Sequence, residues 1–409
     1  MKILLVNQFF WPDMAATGQL LTDLARRLSR DHEVTVICSG GSYARTGPDG
    51  DPPSVRIIRV PGPRYRRGPM ARALSYATFL AGSIWNELRI ARHDVIVTMT
   101  TPPMLSIGGA ILRALRGTRH YIWEMDLFPD AFVSLGALPE HGWTTRALGW
   151  VADLCRRHSD GIIALGPCMR KRLIARGIPK RLVHVAENWA DGSAISPVPC
   201  ERSERLKIFY SGNFGLSHDV ETIAAVMRHF RNDSRFAFTF AGGGVNREKL
   251  ERICRSDNIG NADFIPYCGR GQMGDHLAQA HVGLVTERPA CIGTVVPSKV
   301  YGLMAAGKPI LFVGPRLATP ALLIRRFGCG WHVEAGATEE LIALLERLSA
   351  DWKLIRLSGL RAREAFDRHY DLSIGVARVA AALGLGGPVN ATSERAKVGS
   401  APATFAARV

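Results

Sequence analysis

Two spacings of hydrophobic and polar positions alternate along the 409-residue chain. Short apolar runs at Ile3–Val6, Glu33–Ile37, Val55–Val60, Asp94–Met99, Tyr121–Trp123 and Gly161–Leu165 have the length of buried strands. Between them the apolar positions recur at helical spacing. Leu20, Leu21, Leu24, Ala25 and Leu28 share one helical face, and Leu74, Ala77, Ala81, Ile84 and Leu88 share another. Further helices are predicted near Met104–Leu115 and Thr144–Arg157. Strands that read as continuous apolar runs, each followed by a helix, form a parallel sheet covered on both faces.

The stretch from Asp191 interrupts this rhythm with Gly192, Pro197, Pro199, serines and charges, so residues 191–206 read as a linker. The alternation then resumes. Strands are predicted at Lys207–Tyr210, Phe236–Phe240, Phe264–Pro266, Val282–Val285 and Ile310–Val313, with a helix at Val220–Phe230 and others between. The expected organisation is an α/β domain over 1–190 and a second over 207–384, whose last helix is a candidate to cross back to the first. Small and polar residues follow Gly386-Gly387-Pro388, and 385–409 is expected to be a disordered tail. Two doubly wound, Rossmann-like parallel sheets joined by a linker face each other across a cleft at the carboxyl ends of their strands.

Composition narrows the class. Hydrophobic residues make up 47% and charged residues 22%, which suits a globular core and argues against a disordered or fibrous chain. The 52 basic residues exceed the 36 acidic ones, giving a formal charge of +16 and a preference for anionic partners: nucleotide phosphates, acidic lipids or nucleic acid. None of the eight cysteines forms a CxxC pair, so a zinc or redox motif is not expected, and dispersed cysteines suit a reducing compartment. No apolar run reaches the ~20 residues of a spanning helix. The opening Met1–Asn7 reads as a first strand rather than a signal peptide. A cytoplasmic protein is expected, with membrane association open.

Four strand-to-helix turns carry candidate chemistry. The first, Phe9 to Gly18, is long for such a loop; its Asp13, Thr17 and Gly18 stand where an anion or sugar could meet open helix N–H groups, or mark a plain helix entry. It lacks the GxGxxG dinucleotide fingerprint. The second holds Glu124, Asp126 and Asp130 within seven residues after a strand: candidate bases, hydroxyl-orienting groups or metal ligands, or else turn-forming carboxylates. The third, Tyr210–Asp219, contains Gly212 and Gly215, which let a backbone approach a ligand, without the ending of a P-loop. The fourth runs from Gly293 through Pro297, Ser298 and Lys299 to Gly307. Pro297 suits the first turn of a helix, and open N–H groups beside the Lys299 ammonium would hold a diphosphate.

These turns, in this order, resemble the retaining GT-B glycosyltransferases of family 4, closest to the colanic acid, O-antigen and exopolysaccharide type, over nearly the whole chain up to the tail. The resemblance rests on Asn7-Gln8-Phe9-Phe10-Trp11-Pro12, Gly18, Asn188-Trp189-Ala190-Asp191, Ser211-Gly212-Asn213, His218-Asp219 and Pro297-Ser298-Lys299. It implies that the second domain binds a UDP- or GDP-linked sugar and the first an acceptor. Gly212, Asn213, His218, Thr294, Val295, Ser298 and Lys299 would hold diphosphate and sugar, Pro266 and Tyr267 the base. Gly18, Thr17 and Asp13 would face the acceptor. Asp126, with Glu124 as its rival, would sit beside the reacting sugar carbon. No bound metal or other cofactor is implied.

The chain departs from the family at three positions. Many members carry two glutamates eight residues apart, where this chain has Thr294 and Gly302. A basic residue common after the glycine turn is replaced near His218.

Arg64, Arg66, Arg67 and Arg72 precede the Leu74–Leu88 stripe, which suits either an interfacial surface facing a bilayer or a solvated loop beside a core helix. The leading expectation is transfer of one sugar from a nucleotide donor to an undecaprenyl-diphosphate-linked glycan at the inner face of the plasma membrane. A nucleotide-sugar 2-epimerase of the same architecture is the alternative. A non-catalytic basic protein binding membrane or nucleic acid is a third, although no nucleic-acid motif supports it.

Overall fold

The apolar runs of the first half pair into one seven-stranded sheet. Its strands are β1 (Lys2–Val6), β2 (Glu33–Ser39), β3 (Arg56–Val60), β4 (Val95–Thr98), β5 (Arg119–Glu124), β6 (Gly161–Ala164) and β7 (Val183–Val185). They lie in the order β3-β2-β1-β4-β5-β6-β7, and every pairing is parallel. The second sheet contains β8 (Leu206–Asn213), β9 (Phe236–Gly243), β10 (Ala262–Ile265), β11 (Val282–Thr286), β12 (Ile310–Val313) and β13 (Gly330–Val333). Its order is β10-β9-β8-β11-β12-β13, again wholly parallel. This computed structural model describes residues 1–13, 15–40, 51–62, 69–266 and 270–385.

In both sheets the strand order reverses once, between β1 and β4 and between β8 and β11. Ligand crevices of open parallel sheets lie outside the carboxyl ends at such points. The turns after β1, β8 and β11 therefore stand where such a crevice forms. Apolar clusters cover both faces of each sheet.

Sequence periodicity misses β7 and β13. Each is a short edge strand interrupted by a histidine, His184 or His332, so neither reads as an apolar run. β8 begins at Leu206 and runs on to Asn213, three residues past its predicted end, because Gly212 pairs in register with Gly242 of β9. Residues 191–205 contain no strand or helix. They lie along the second domain, where Lys308 Nζ donates to Val198 O at 3.2 Å and Arg363 Nη1 to Ile195 O at 3.3 Å.

The Leu372–Ala382 helix returns to the first domain, burying Val376, Val379 and Ala380 in its core. Trp189 anchors the crossing. It stacks on Trp123 at 5.8 Å, donates from Nε1 to Asp23 Oδ2 at 3.1 Å, and leaves no room for a side chain at Gly375. The 386–409 segment, expected to be disordered, lies outside the described residues.

The Pro69–Arg89 helix turns the stripe the other way from a core helix. Leu74, Ala77, Ala81 and Leu88 are exposed, while Ser75, Phe79, Ser83 and Glu87 are buried. Among the described residues no helix is long and apolar enough to cross a membrane.

Candidate active site

The carboxylates after β5 separate into two kinds. Glu124, the last residue of β5, is 1% exposed and accepts from Arg156 Nε at 2.6 Å. Arg156 reaches on to Asp153 Oδ1 at 3.0 Å and to the Phe128 carbonyl at 2.8 Å. Asp130 accepts from Arg172 and Arg176, both at 2.9 Å, and Arg176 bridges back to Asp153 at 2.7 Å. Glu124 and Asp130 are thus tied into an arginine network that fixes the turn. Asp126 is half-buried and makes no ion pair among the described residues; its main-chain N–H donates to Thr100 Oγ1 at 3.1 Å. Burial, then the neighbouring Glu124 charge, pushes its carboxyl up to about 6. Of the two candidates for the reacting centre, Glu124 is committed to Arg156, whereas Asp126 is not held by an ion pair among the described residues.

This turn meets the second domain directly. Leu127 N–H donates to Thr294 O at 2.8 Å, and the Ser134 and Thr294 hydroxyls lie 3.1 Å apart. Arg172 Nη1 donates to Ile292 O at 3.3 Å. Thr294, expected to meet donor-sugar hydroxyls, has no exposed surface and also donates to Cys291 O at 2.8 Å, so its hydroxyl is committed to the domain seam. Pro297 lies outside the helix it was expected to open. The helix spans Lys299–Ala305 with Ser298 at its N-cap, because the preceding segment is held against the first domain. Val295 pairs with Ile292 in an isolated bridge and is half-buried.

Lys299 and the glycine turn do come together. Gly212 has φ +119°, and a Cβ there would lie 2.8 Å from Lys299 Cε. Gly242 and Gly244 have φ of +119° and +120°; added Cβ atoms would lie 2.3 Å from Gly212 O and 2.5 Å from Phe214 O. Only glycine fits these three backbone positions, and the result is a side-chain-free cradle under the lysine. Lys299 Nζ lies 5.0 Å from the Tyr210 ring centroid. Desolvation lowers its amine to about 8. A desolvated ammonium over bare backbone gains when an anion arrives.

His218 does not supply positive charge there. Burial, aided by Lys299, lowers its imidazole to about 3, so the ring is neutral. Nδ1 lies 2.8 Å from Thr286 O, and Nε2 3.1 Å from Asn213 O. The ring pins the glycine turn to β11 and leaves the exposed Asn213 side chain on the outer side.

Among the acceptor candidates, Asp13 is buried and accepts the Ala15 N–H at 3.0 Å, bracing its own loop. Asn7 Nδ2 lies 3.5 Å from the half-buried Thr17 Oγ1. Gly18 lies in the first turn of the Ala16–Leu28 helix, where a Cβ would come within 3.2 Å of Phe9, so its smallness serves close packing. Pro266 is exposed after β10; Tyr267 lies outside the described residues, as do Arg64, Arg66 and Arg67, whereas Arg72 is exposed.

Sequence reasoning missed two parts of this site. Gly242-Gly243-Gly244 is visible as a glycine run, but only the β8–β9 register shows that it backs Gly212. Glu287 directly follows β11 at the switch point, 1% exposed, with neither carboxylate oxygen meeting a protein donor; burial pushes its carboxyl up to about 8. A single glutamate after a strand gives no such signal.

Two wholly parallel sheets, each with one switch point and meeting at the turn after β5, form the GT-B fold. Residues 16–189 match the glycosyl transferase 4-like domain. The chain is 24% identical to WbjE of Pseudomonas aeruginosa, described as a "Probable glycosyltransferase", over 93% of this chain and 97% of that one. Among solved structures it resembles HepE of Anabaena in complex with UDP-glucose, with TM-score 0.69, 15% identity, and 94% and 99% of the two chains covered. It also resembles WaaG, a glycosyltransferase involved in lipopolysaccharide biosynthesis, with TM-score 0.67, 15% identity, and 94% and 100% covered.

Proposed function

We propose that this glycosyltransferase moves one sugar, with retention, from a nucleotide diphosphate to a lipid-linked glycan acceptor, an undecaprenyl-diphosphate-linked chain being the first to test. The observation that carries the donor reading is Lys299, desolvated over the Gly212–Gly242 cradle. When the bond from the sugar carbon to the diphosphate oxygen breaks, the electron pair leaves with the nucleoside diphosphate. A preorganised cation and backbone N–H groups stabilise that charge. The acceptor oxygen bonds to the sugar carbon from the same face, and its proton passes to the departing diphosphate oxygen. Asp126 orients the acceptor hydroxyl or offsets positive charge on the ring. UDP and GDP remain the two bases to compare; the HepE complex makes UDP-glucose a sensible first donor.

Thermal-shift screening with UDP and GDP sugars tests the donor side, since a ligand bound by the native state alone raises the melting temperature. Transfer to a lipid-linked acceptor tests the rest. A sugar nucleotide isomerised without any acceptor would replace this reading with an epimerase, and salt-sensitive nucleic-acid binding without response to nucleotide sugars would replace it with a binding protein.

Lys299→Ala is expected to weaken UDP or GDP binding by about 1–3 kcal/mol, the scale of a charged hydrogen bond. Wild-type affinity should decline as pH rises through about 8, where the amine loses its proton, and the alanine variant should lack that decline. Calorimetry at several pH values checks both. Transfer is also proposed to run without a divalent metal, the lysine and backbone holding the diphosphate. Activity should then persist in EDTA; complete loss restored by Mg2+ or Mn2+ would reassign the site's carboxylates as ligands.

A further inference from the structure

Residues 291–296 of the second domain lie on the first. Leu127 N–H donates to Thr294 O at 2.8 Å, Arg172 Nη1 donates to Ile292 O at 3.3 Å, and Val296 packs against the first-domain core. Thr294 is wholly buried at the centre of this contact. Its hydroxyl donates to Cys291 O at 2.8 Å, so the Ser134 hydroxyl, 3.1 Å away at the end of the Asp130–Ser134 helix, is the donor to Thr294 Oγ1. Ser134 Oγ is also 3.0 Å from Ala131 O in its own helix, and its hydrogen is shared between the two.

A glycine from each domain permits this closeness. At Gly166, the N-cap of the Pro167–Ala175 helix, an added Cβ would lie 2.3 Å from Thr319 Oγ1 across the seam. At Gly293 it would lie 2.8 Å from the Cys168 carbonyl oxygen. A side chain at either position would hold the domains apart. Cys168 Sγ and Thr319 Oγ1 meet between them at 3.2 Å. The seam also joins the two halves of the site by short lengths of chain. Asp126 immediately precedes Leu127, and Lys299 lies five residues beyond Thr294. The Lys299–Ala305 helix starts from Ser298, so the place where Thr294 is held sets where that helix begins and where its lysine stands over Gly212.

We infer that the Ser134–Thr294 hydroxyl pair is an interdomain latch that positions the lysine cradle against Asp126, and that Thr294 takes no part in recognising the donor sugar. A hydroxyl that reads a sugar keeps its hydrogen and a lone pair turned to the cleft. That of Thr294 gives its hydrogen to Cys291 and a lone pair to the other domain. Both are positioning residues, since neither touches the reacting atoms. Removing either hydroxyl weakens the seated arrangement and leaves the parted one, open to water, unaffected. Transfer needs the breaking bond and the acceptor oxygen in one geometry, so turnover follows the fraction of molecules in which the seam is seated. Nucleotide affinity, which rests on the cradle within the second domain, does not.

The inference deepens the sugar-transfer reading and rests on it for its consequence, but the latch itself is tested without transfer. Small-angle X-ray scattering of the full-length protein, without ligand, reads the separation of the domains. Thr294→Val and Ser134→Ala should each raise the radius of gyration above wild type. Thr294→Ser, which retains the hydroxyl, should restore the wild-type value. Gly166→Val, which wedges the seam and spares both hydroxyls, should raise it as well. In transfer assays Thr294→Val and Ser134→Ala should each lose about tenfold in kcat per folded molecule, the scale of one hydrogen bond, with UDP and GDP affinity within about twofold of wild type. The two together should lose no more than either alone, because both break the same bond. Wild-type scattering in both Thr294→Val and Gly166→Val overturns the inference. So does opening of the seam with kcat unchanged, which leaves the pair a merely structural one. So does a raised donor KM with altered preference among sugars at unchanged kcat in Thr294→Val, which assigns the hydroxyl to the sugar. Absence of transfer by the wild type, with the scattering differences intact, would overturn the functional reading and leave the latch standing.

Discussion

Asp126→Asn is expected to lower turnover about 100-fold or more, the scale of a positioned proton-handling or charge-stabilising group. The substitution keeps size and hydrogen-bonding capacity and removes only the charge. Asp126 alone of the three carboxylates Glu124, Asp126 and Asp130 is free of ion pairs among the described residues, and the main-chain bond from Leu127 to Thr294 O holds it beside the second domain. Donor affinity and melting temperature should stay near wild type. The pH profile gives a second readout. With its carboxyl raised to about 6, Asp126 is mostly ionised at neutral pH and is protonated as pH falls through that value. Wild-type turnover should therefore fall on the acid side of about 6, and the asparagine variant should be flat there. Wild-type turnover in the variant, measured with saturating donor and acceptor, would remove Asp126 from the reacting centre.

Glu124→Gln should do the opposite: lose stability before chemistry. Its carboxylate and Arg156 are 1% and 4% exposed at the side chain and 2.6 Å apart. Removing one member of a buried pair leaves the other charge inadequately compensated, at a cost of about 3–5 kcal/mol. The lower end is expected, since Arg156 keeps Asp153 and the Phe128 carbonyl. Equilibrium denaturation should register this loss, with turnover per folded molecule reduced only as far as the Asp126 turn loosens. Unchanged stability with abolished turnover would transfer the catalytic role to Glu124.

The two predictions separate residues that look alike in sequence. Glu124, Asp126 and Asp130 fall in one short run, and nothing local tells which is occupied. The answer comes from Arg156, Arg172 and Arg176, at the end of one helix and along the next, which reach the same turn only after both pack on the sheet. His218 and Thr294 teach the same lesson. Each has the polar atoms a ligand would need, and each meets a partner distant in the chain, the Thr286 carbonyl for His218 and the Ser134 hydroxyl for Thr294.

The helix stripe from Leu74 to Leu88 shows where periodicity stops. Spacing establishes that these residues share a face, but not which way the face turns. That is set by what lies beneath, here Gln8 hydrogen-bonded to Ser75 and Gly108 making room for Glu87.

Sequence by itself determined the alternation of strands and helices, the break near residue 191, and the nearness of Gly212 and Lys299 to strand ends. Burial and backbone preference act over a few neighbouring residues and leave a local record. Tertiary structure alone decided which polar groups remain free, because hydrogen bonds and ion pairs between distant segments form only once the sheets and domains bring those segments together.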